Sequence, residues 1–182
     1  MELNNVDNIL QAFAQYVVDA SKDNLKNDVN KFGGNKAGGD LDNSISYTFD
    51  KSKDLFLLDF LMEDYGTFVD KGVRGKTSTY PETQSALSKY QYGSGNFPKG
   101  GLRDGIRGWL KKKRFQFRDK KGRFMSYESM TYLISRSIYN KGLKANLFFT
   151  RPFELGLENL PRQLTDAFSL DIEEAIILGS KK

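Results

Sequence analysis

The residues best suited to chemistry in this sequence are basic, and they are concentrated in one short segment, residues 103–123. Its ten Lys and Arg residues are Arg103, Arg107, Lys111, Lys112, Lys113, Arg114, Arg118, Lys120, Lys121 and Arg123. Only Asp104 and Asp119 oppose them, so the segment has a formal charge of +8; the whole chain carries +5, which leaves −3 for the other residues. Such a concentration is typical of a surface that contacts a phosphate backbone or an acidic protein face.

This basic segment leaves two interpretations open. One is weak, sequence-independent contact with double-stranded DNA, and the other is a solvated segment without a polyanionic partner. A net charge of only +5 argues against a dedicated high-affinity nucleic-acid binder. The ten basic residues are therefore candidate contacts for a DNA channel or for a protein partner.

Catalytic chemistry has few residues to draw on. The chain contains no Cys and no His, which excludes thiolate metal sites, thiol nucleophiles and His-dependent triads within it. Carboxylates cluster at Glu63/Asp64/Asp70, at Glu154/Glu158 and at Asp171/Glu173/Glu174. No strand supplies the Lys that a nuclease site usually adds two residues after an acid, so solvated helix faces explain these acids better. We predict no catalytic residue, no metal site and no enzyme.

A nucleotide cofactor is not predicted either. Gly75-Lys76-Thr77 matches the end of a phosphate-binding P-loop, but Asp70 stands where that pattern needs a Gly. An acid at that point would repel phosphate. The sequence therefore predicts no bound cofactor.

The N-terminal part of the chain predicts a helix and then a hairpin. Between residues 6 and 22 apolar residues recur at spacings of three and four, which indicates an amphipathic helix of about 20 residues. Polar and apolar residues alternate over 44–49, as is typical of a strand. Residues 55–62 are apolar on both faces apart from Asp59, so we expect this second strand to be covered on both sides or to lie at a subunit contact.

The middle of the chain predicts a short helix and a long loop. The helix spans 63–71, and Gly72 suits the position just after its end. Residues 72–102 contain six Gly and two Pro. A structureless stretch of this length inside a compact domain is usually functional or ordered by a partner.

A basic hairpin over residues 111–125 is expected next, after a helix that carries Trp109 on its apolar face. Gly122 suits the strained position of the hairpin turn. Phe115, Phe117 and Phe124 alternate with the charges, so we expect them on the buried face of the hairpin. The charges would then lie on the solvent side.

Two helices complete the predicted order. Ser126 can cap the first of them, which ends at Gly142. The last helix covers residues 160–176, with Pro161 at its start or at a kink. Pro152, which precedes this helix, should favour extended backbone at the two residues before it.

Helices and strands are segregated along the chain, which predicts an α+β fold in one domain over residues 1–182. Its parts are a long N-terminal helix, a small antiparallel sheet with hairpins, and C-terminal helices. The most apolar run, 55–62, is far shorter than the ~20 residues of a membrane-spanning helix. The first residues also lack the pattern of a signal peptide. We expect no membrane association.

Two short motifs resemble those of the tailed-bacteriophage neck proteins, in the tail-completion or head–tail joining family. Members carry a Tyr…Val-x-x-Gly segment after a strand and an Arg-Pro-Phe segment before a final helix. Here the first is Tyr65-Gly66-Thr67-Phe68-Val69-Asp70-Lys71-Gly72-Val73, about 80 residues before Arg151-Pro152-Phe153-Glu154. Residues 134–176 are similar to versions from phages of the Bacteroidetes group.

The resemblance implies a structural virion protein without catalysis. Such a protein forms a homo-oligomeric ring around the DNA channel, contacts other neck, portal or tail proteins, and resides in the virion neck or tail, and in the host cytoplasm during assembly. The family-motif positions that become candidate subunit contacts are Tyr65, Gly66, Val69, Gly72, Arg151, Pro152 and Phe153. The residues alone leave two alternatives open: a structural joint at Arg-Pro-Phe, and a non-enzymatic DNA-binding accessory protein that uses residues 103–123.

Overall fold

The computed structural model describes six stretches of the chain and folds them into helices with two small sheets. The described residues are 3–27, 39–52, 55–77, 88–92, 101–114 and 116–180. Their helices are α1 (Asn4–Asn27), α2 (Asp40–Ser44), α3 (Gly66–Lys71), α4 (Gly101–Lys113), α5 (Tyr127–Lys141) and α6 (Thr150–Ser180). Their strands are β1 (Ser46–Ser52), β2 (Leu55–Leu61), β3 (Val73–Arg74) and β4 (Gly142–Leu143). The long first helix, the small antiparallel sheet and the C-terminal helices confirm the predicted α+β class.

Packing divides the chain into two compact units. The first lies within residues 1–66 and 146–182, and the second within residues 67–145. Each unit has its own cluster of buried apolar side chains. The prediction of one domain over 1–182 is not tested by this division and stays a prediction.

The first unit is built on α1 and α6. Asn5 at the start of α1 is hydrogen-bonded to Asp171 late in α6, whereas Phe13 meets Phe153 near the start of α6. The two helices therefore run in opposite directions. Their shared buried side chains are Phe13, Val17 and Leu160. The amphipathic helix of about 20 residues predicted from the spacing between residues 6 and 22 is confirmed, and α1 spans 24 residues.

A cluster of four phenylalanines joins the hairpin to this helix pair. The Phe60 ring lies 6.3 Å from Phe13, 5.4 Å from Phe149 and 6.0 Å from Phe153, measured between ring centroids. The contacts with Phe60 are edge-to-face, an arrangement that aromatic rings favour. The cluster fixes the inner face of β2 and the start of α6 against α1.

The β1–β2 hairpin has one covered face and one exposed face. The strands pair antiparallel from Ser46 opposite Leu61 to Ser52 opposite Leu55. On β2 the alternate residues 56, 58 and 60 are half-buried. Covering on both sides, the first of the two options for β2, is therefore wrong within the described chain, because α1 and α6 lie on one side only. The subunit contact stays a prediction.

In the second unit, α4 packs on α5. Their buried side chains are Ile106, Leu110 and Met130. Because Ile106 and Leu110 lie four residues apart, they define the buried face of α4. Trp109 lies at the margin of that face and is exposed, so its predicted place in the apolar stripe is wrong.

Helix ends in the second unit follow the sequence signals. The Ser126 hydroxyl accepts a hydrogen bond from the Ser129 N–H at 3.1 Å and caps α5. Gly72 (φ 69°) follows α3 and Gly142 (φ 85°) ends α5, both in backbone conformations that favour Gly. These three predictions are confirmed.

The predicted long loop is ordered where it meets β3. Strand β3 pairs with β4. Arg74 donates its N–H to the Tyr90 carbonyl and accepts from the Tyr92 N–H, both at 2.9 Å. A structureless stretch throughout 72–102 is therefore wrong for these residues. The reason is pairing with distant residues, which local composition does not reveal. Residues 78–87 and 93–100 lie outside the described residues.

The last helix begins ten residues earlier than predicted. Thr150 and Arg151 are helical, not extended, and α6 continues through Pro161 to Ser180. Pro152 lies in the first turn of α6, where a backbone N–H has no intrahelical partner to lose. That position explains why the helix tolerates Pro152 and why the predicted start at Leu160 is wrong.

Candidate functional site

The basic residues on α4 are positioned by the packing of its opposite flank. Ile106 and Leu110 face α5, so Arg103, Arg107 and Lys111, spaced by four, line the neighbouring flank and are exposed. Lys111, Lys112 and Lys113 form the last turn of α4. Cations there are favoured, because the carbonyl end of a helix is partially negative. Helix formation thus gathers the first half of the basic segment on one element.

Asp119 holds together the turn that carries the second half. One of its carboxylate oxygens accepts from the N–H groups of Lys121 (2.8 Å) and Arg123 (2.9 Å). The other accepts from Arg123 Nε at 3.1 Å. The Arg123 N–H is the main reason why the pKa of Asp119 lies below its ordinary value; slight burial opposes this, and the other two donors add to it. Gly122 (φ 76°) provides the left-handed turn position, as predicted.

The basic hairpin is shorter than the predicted range 111–125. Lys111, Lys112 and Lys113 belong to α4, and Arg114 follows in a left-handed conformation (φ 51°). Pairing consists of the Arg118–Phe124 bridge, with one bond from the Met125 N–H to the Phe117 carbonyl at 2.9 Å and one from the Asp119 N–H to the Arg123 carbonyl at 2.8 Å. The N-terminal half of the prediction is wrong because the α4 helix continues for one more turn.

Of the three phenylalanines predicted on the buried face, Phe117 and Phe124 differ in burial, and Phe115 lies outside the described residues. Phe117 is half-buried and packs against the core of the second unit, as predicted. Phe124 is exposed, and the Arg118 guanidinium lies 4.3 Å from its ring centroid. A cation–π contact thus replaces the burial expected of Phe124.

All ten predicted basic residues are exposed, and we call them together the basic surface. Arg107 forms an ion pair with Glu128, and Arg123 forms one with Asp119. Arg118 donates to the Gly122 carbonyl. The basic surface members without an ion pair to another described residue are Arg103, Lys111, Lys112, Lys113, Arg114, Arg118, Lys120 and Lys121. This arrangement leaves most of the charge available to phosphate or carboxylate groups of a partner.

The first family motif contributes both structural and exposed residues. Gly66 is buried, and a Cβ there would come within 2.7 Å of the Met62 sulfur. Gly72 has the positive φ described above, and Val69 is half-buried. Tyr65 is exposed; burial, then the negative charges of Asp40 and Glu63, raise the pKa of its phenol. Of the four candidate contacts in this motif, Tyr65 is the exposed one.

The Arg-Pro-Phe motif is mainly part of the core. Pro152 is buried, and Phe153 belongs to the phenylalanine cluster, whereas Arg151 is exposed. Phe153 therefore anchors the start of α6, which supports the structural-joint alternative for Pro152 and Phe153. Arg151 keeps a surface position.

Two residues of the acidic clusters are placed differently from the prediction, and one of them, Asp70, is 3% exposed. Asp171 was expected on a solvated helix face, but it is 2% exposed. It accepts hydrogen bonds from the Asn5 N–H (2.9 Å), the Asn5 side chain (2.8 Å) and the Val6 N–H (3.1 Å). These are donors from the first turn of α1, so Asp171 caps α1 from another helix. Its place four residues after Ala167, on the apolar stripe of α6, was the signal that could have found it.

The charge balance at Asp171 favours the carboxylate form. Burial would raise the pKa of this group. The hydrogen bonds from Asn5 and Val6, with the nearby charge of Lys51, outweigh burial and place the pKa of Asp171 below its ordinary value. Asp171 therefore acts as a structural anion.

Two exposed apolar surfaces also lie outside the motif analysis. One is the outer face of β2, and the other is the C-terminal end of α6.

No group of three or more metal-ligating side chains lies together among the described residues. Within the same ranges, no helix has the length and apolar character needed to cross a membrane.

No protein-family model, curated protein or solved structure matches this chain. The resemblance to phage neck proteins, which rests on Tyr65–Val73 and Arg151–Glu154, therefore stays a prediction.

Proposed function

We propose that this chain is a structural protein of a tailed bacteriophage, a subunit of the neck ring that surrounds the DNA channel. Its partners are further copies of itself and the adjoining portal or tail proteins. The observation that carries the proposal is that one chain displays both an apolar sheet face and a basic surface. A channel ring requires a surface of each kind, one for its neighbours and one for DNA.

The outer face of the hairpin suits a subunit contact. On β2 it carries Leu55, Leu57 and Leu61, which are 61%, 47% and 48% exposed, with the exposed Asp59 between the last two. The sheet contains only β1 and β2 among the described strands. Each strand thus has an edge that can accept a strand from a neighbour, and exposed apolar patches of this kind usually mark interfaces.

The basic surface suits contact with DNA that passes through a ring. Its charges lie on α4 and on the tip of the 119–122 turn. Lys and Arg side chains that meet phosphates act independently of sequence, and their contribution falls with salt concentration. Weak contact of this kind allows DNA to move past the protein.

The assembly role is tested with purified protein, isolated portal complexes and tail tubes. Mass photometry and negative-stain images should show rings of this chain on at least one of the two templates. Leu57→Asp should abolish ring formation while the circular dichroism spectrum is retained. Leu133→Asp is the matched control, because Leu133 on α5 is similarly exposed (49%). A chain that remains monomeric and ignores both templates would overturn the proposal.

A second candidate, a DNA-binding accessory protein, is favoured by the exposure of all ten basic side chains. A salt titration of binding to a duplex separates it from the ring subunit. Micromolar affinity at physiological salt, with a steep negative slope that Lys111→Glu/Lys112→Glu reduces, favours the accessory role. Lys144→Glu/Arg162→Glu changes the net charge equally, at exposed residues outside the basic surface. Binding that vanishes in modest salt favours the channel lining.

A further inference from the structure

The C-terminal end of α6 extends past the helix on which it packs. Asp171 receives the first N–H groups of α1, so α1 begins beside residue 171. Helix α6 then continues for nine residues to Ser180, about 14 Å at 1.5 Å per residue. We call residues 172–180 the overhang.

The overhang remains apolar although α1 no longer covers it. Ile172, Ile176 and Leu178 are 37%, 66% and 67% exposed. Ile172 and Ile176 follow Leu160, Leu164 and Phe168 at four-residue spacing, but Phe168 is already 46% exposed, and the buried side chains of α6 nearby are Leu160, Ala167 and Asp171. This apolar row therefore turns away from α1 into solvent. A helix end this short gains little from intrinsic propensity, and such stripes are stabilised mainly by packing.

Acidic side chains border part of this apolar surface. Glu173 and Glu174 are exposed, and helical spacing places them on either side of Ile177, which is 45% exposed and follows them by four and three residues. From 163 to 180 the chain has four acidic residues and no basic one; the lysines at 181 and 182 follow this stretch in the sequence. The overhang thus combines an apolar centre with a negative rim.

The same chain carries a surface of opposite character on the outer side of α4. Trp109 is 47% exposed, and Lys112 and Lys113 lie three and four residues after it, on neighbouring positions of the helix surface. At Gly105 and Gly108 a Cβ would meet no atom within 4 Å, so the surface between these charges is open to a close approach. The outer side of α4 thus combines an exposed aromatic ring, two glycines without side chains above them, and positive charges beside them.

We propose that the overhang of one copy docks on the outer side of α4 of a second copy. Ile176 and Ile177 would lie against Trp109 and the glycines, and the glutamates would pair with Lys112 and Lys113, which leaves the other eight members of the basic surface for DNA. Complementary charge is the reason for a second copy as occupant: a duplex or an anionic membrane would repel Glu173 and Glu174. The two surfaces are different, so each copy can use its overhang on one neighbour and its α4 surface on the other. Repetition of such a contact forms a closed ring if the rotation between copies divides a full turn evenly.

Charge exchange in the full-length chain tests this contact. Sedimentation velocity from about 1 to 100 μM should show self-association of the wild type. Glu173→Lys/Glu174→Lys should weaken self-association about tenfold or more, and so should Lys112→Glu/Lys113→Glu. The chain with all four changes should recover to within a few-fold of the wild type. Glu158→Lys/Asp166→Lys, at exposed acids of α6 before the overhang, is the matched control and should have little effect.

The outcomes distinguish this contact from the proposed neck function. Only the closure of the contact into a ring rests on that proposed function. Three results would each overturn the overhang contact. The wild type could stay monomeric over this concentration range, the two double variants could associate as strongly as the wild type, or the chain with all four changes could fail to recover self-association. If the swapped variants still form rings on portal or tail templates, the neck assignment stands and the contact is wrong. Self-association through the overhang in a chain that ignores both templates would support the contact and overturn the neck assignment.

Discussion

The two compact units use charge in opposite ways. In the first unit the carboxylate of Asp171 is buried, and its hydrogen bonds come from the start of α1. In the second unit the basic surface is exposed, and most of its members lack an ion pair to a described residue. A charge that the fold satisfies internally stabilises the fold, whereas an excess of exposed like charge raises its energy unless a partner binds. The comparison identifies Asp171 as structural, whereas binding by the basic surface stays a proposal.

The two units also differ in the side chains that form their cores. The first unit is held by a phenylalanine cluster that includes Phe13 and Phe60. The second relies on Ile106, Leu110 and Met130, with short backbone pairings at β3 and β4. The second unit therefore depends more on backbone geometry, and substitutions should show this difference.

The largest expected effect is the loss of an aromatic side chain from the first core. Phe60→Ala should lower the free energy of unfolding by about 3–4 kcal/mol, because it removes three ring contacts and leaves a cavity. Urea unfolding measures this change, and hydrogen exchange should place it in α1 and α6. Phe124→Ala, at the exposed ring of the second unit, is the control and should cost less than about 1 kcal/mol. A similar cost for both variants would erase the difference between the cores.

Backbone geometry in the second unit is tested at Gly142. A Cβ there would lie 2.6 Å from the Gly75 nitrogen and would collide with the Val73 carbonyl, at a φ of 85°. We expect Gly142→Ala to cost about 2–3 kcal/mol through strain and displacement of β3. Gly122→Ala is the matched control: its φ is also positive, but a Cβ meets nothing within 4 Å, so about 1 kcal/mol is expected. Equal losses in urea unfolding would show that the β3–β4 contact adds nothing to the strain.

Sequence periodicity predicted the elements that local signals define. The apolar spacing between residues 6 and 22 located α1, and Ser126 and Gly142 located both ends of α5. The rule for residues before Pro failed at Pro152, because the rule describes the average backbone and the first helical turn is an exception. These outcomes depend on a few neighbouring residues.

Features that depend on contacts between distant residues could not be predicted from the sequence. The pairing of Arg74 with Tyr90 and Tyr92 and the burial of Asp171 both depend on which surfaces meet in the fold. The basic surface could be predicted as a charge excess, but not that three of its lysines end α4. The overhang was invisible because apolar spacing does not reveal where the covering helix α1 begins.

An intermediate effect is expected at the buried carboxylate. Asp171→Ala leaves the N–H groups of Asn5 and Val6 without their acceptor, and we expect a loss of about 2 kcal/mol in the free energy of unfolding. Asp171→Asn keeps one acceptor oxygen and should cost less. Urea unfolding at pH 7 measures both. No loss in Asp171→Ala would contradict the capping role.

The pH dependence of stability separates the charge of Asp171 from its hydrogen bonds. Its pKa is lower in the folded chain than its ordinary value near 4, so its stabilising contribution is complete above about pH 5 and is lost as the pH falls through the folded pKa. The stability difference between wild type and Asp171→Asn should therefore shrink between pH 5 and pH 3. Asp119, whose pKa is also lowered, is present in both chains and does not affect this difference. A constant difference would show that the charge contributes nothing.

The smallest expected effect is at the cap of α5, which lies in the second unit. Ser126→Ala removes the acceptor of the Ser129 N–H and should cost about 1 kcal/mol. Ser137→Ala, at an exposed site inside α5, should instead stabilise slightly, because Ala has the higher helix propensity. A loss of stability at Ser126 and a gain at Ser137, for the same Ser→Ala change, would show that α5 depends on its cap. Few apolar side chains of α5 are buried, so its first turn has little other stabilisation. Two losses of equal size would show that Ser126 acts only as an ordinary helix residue.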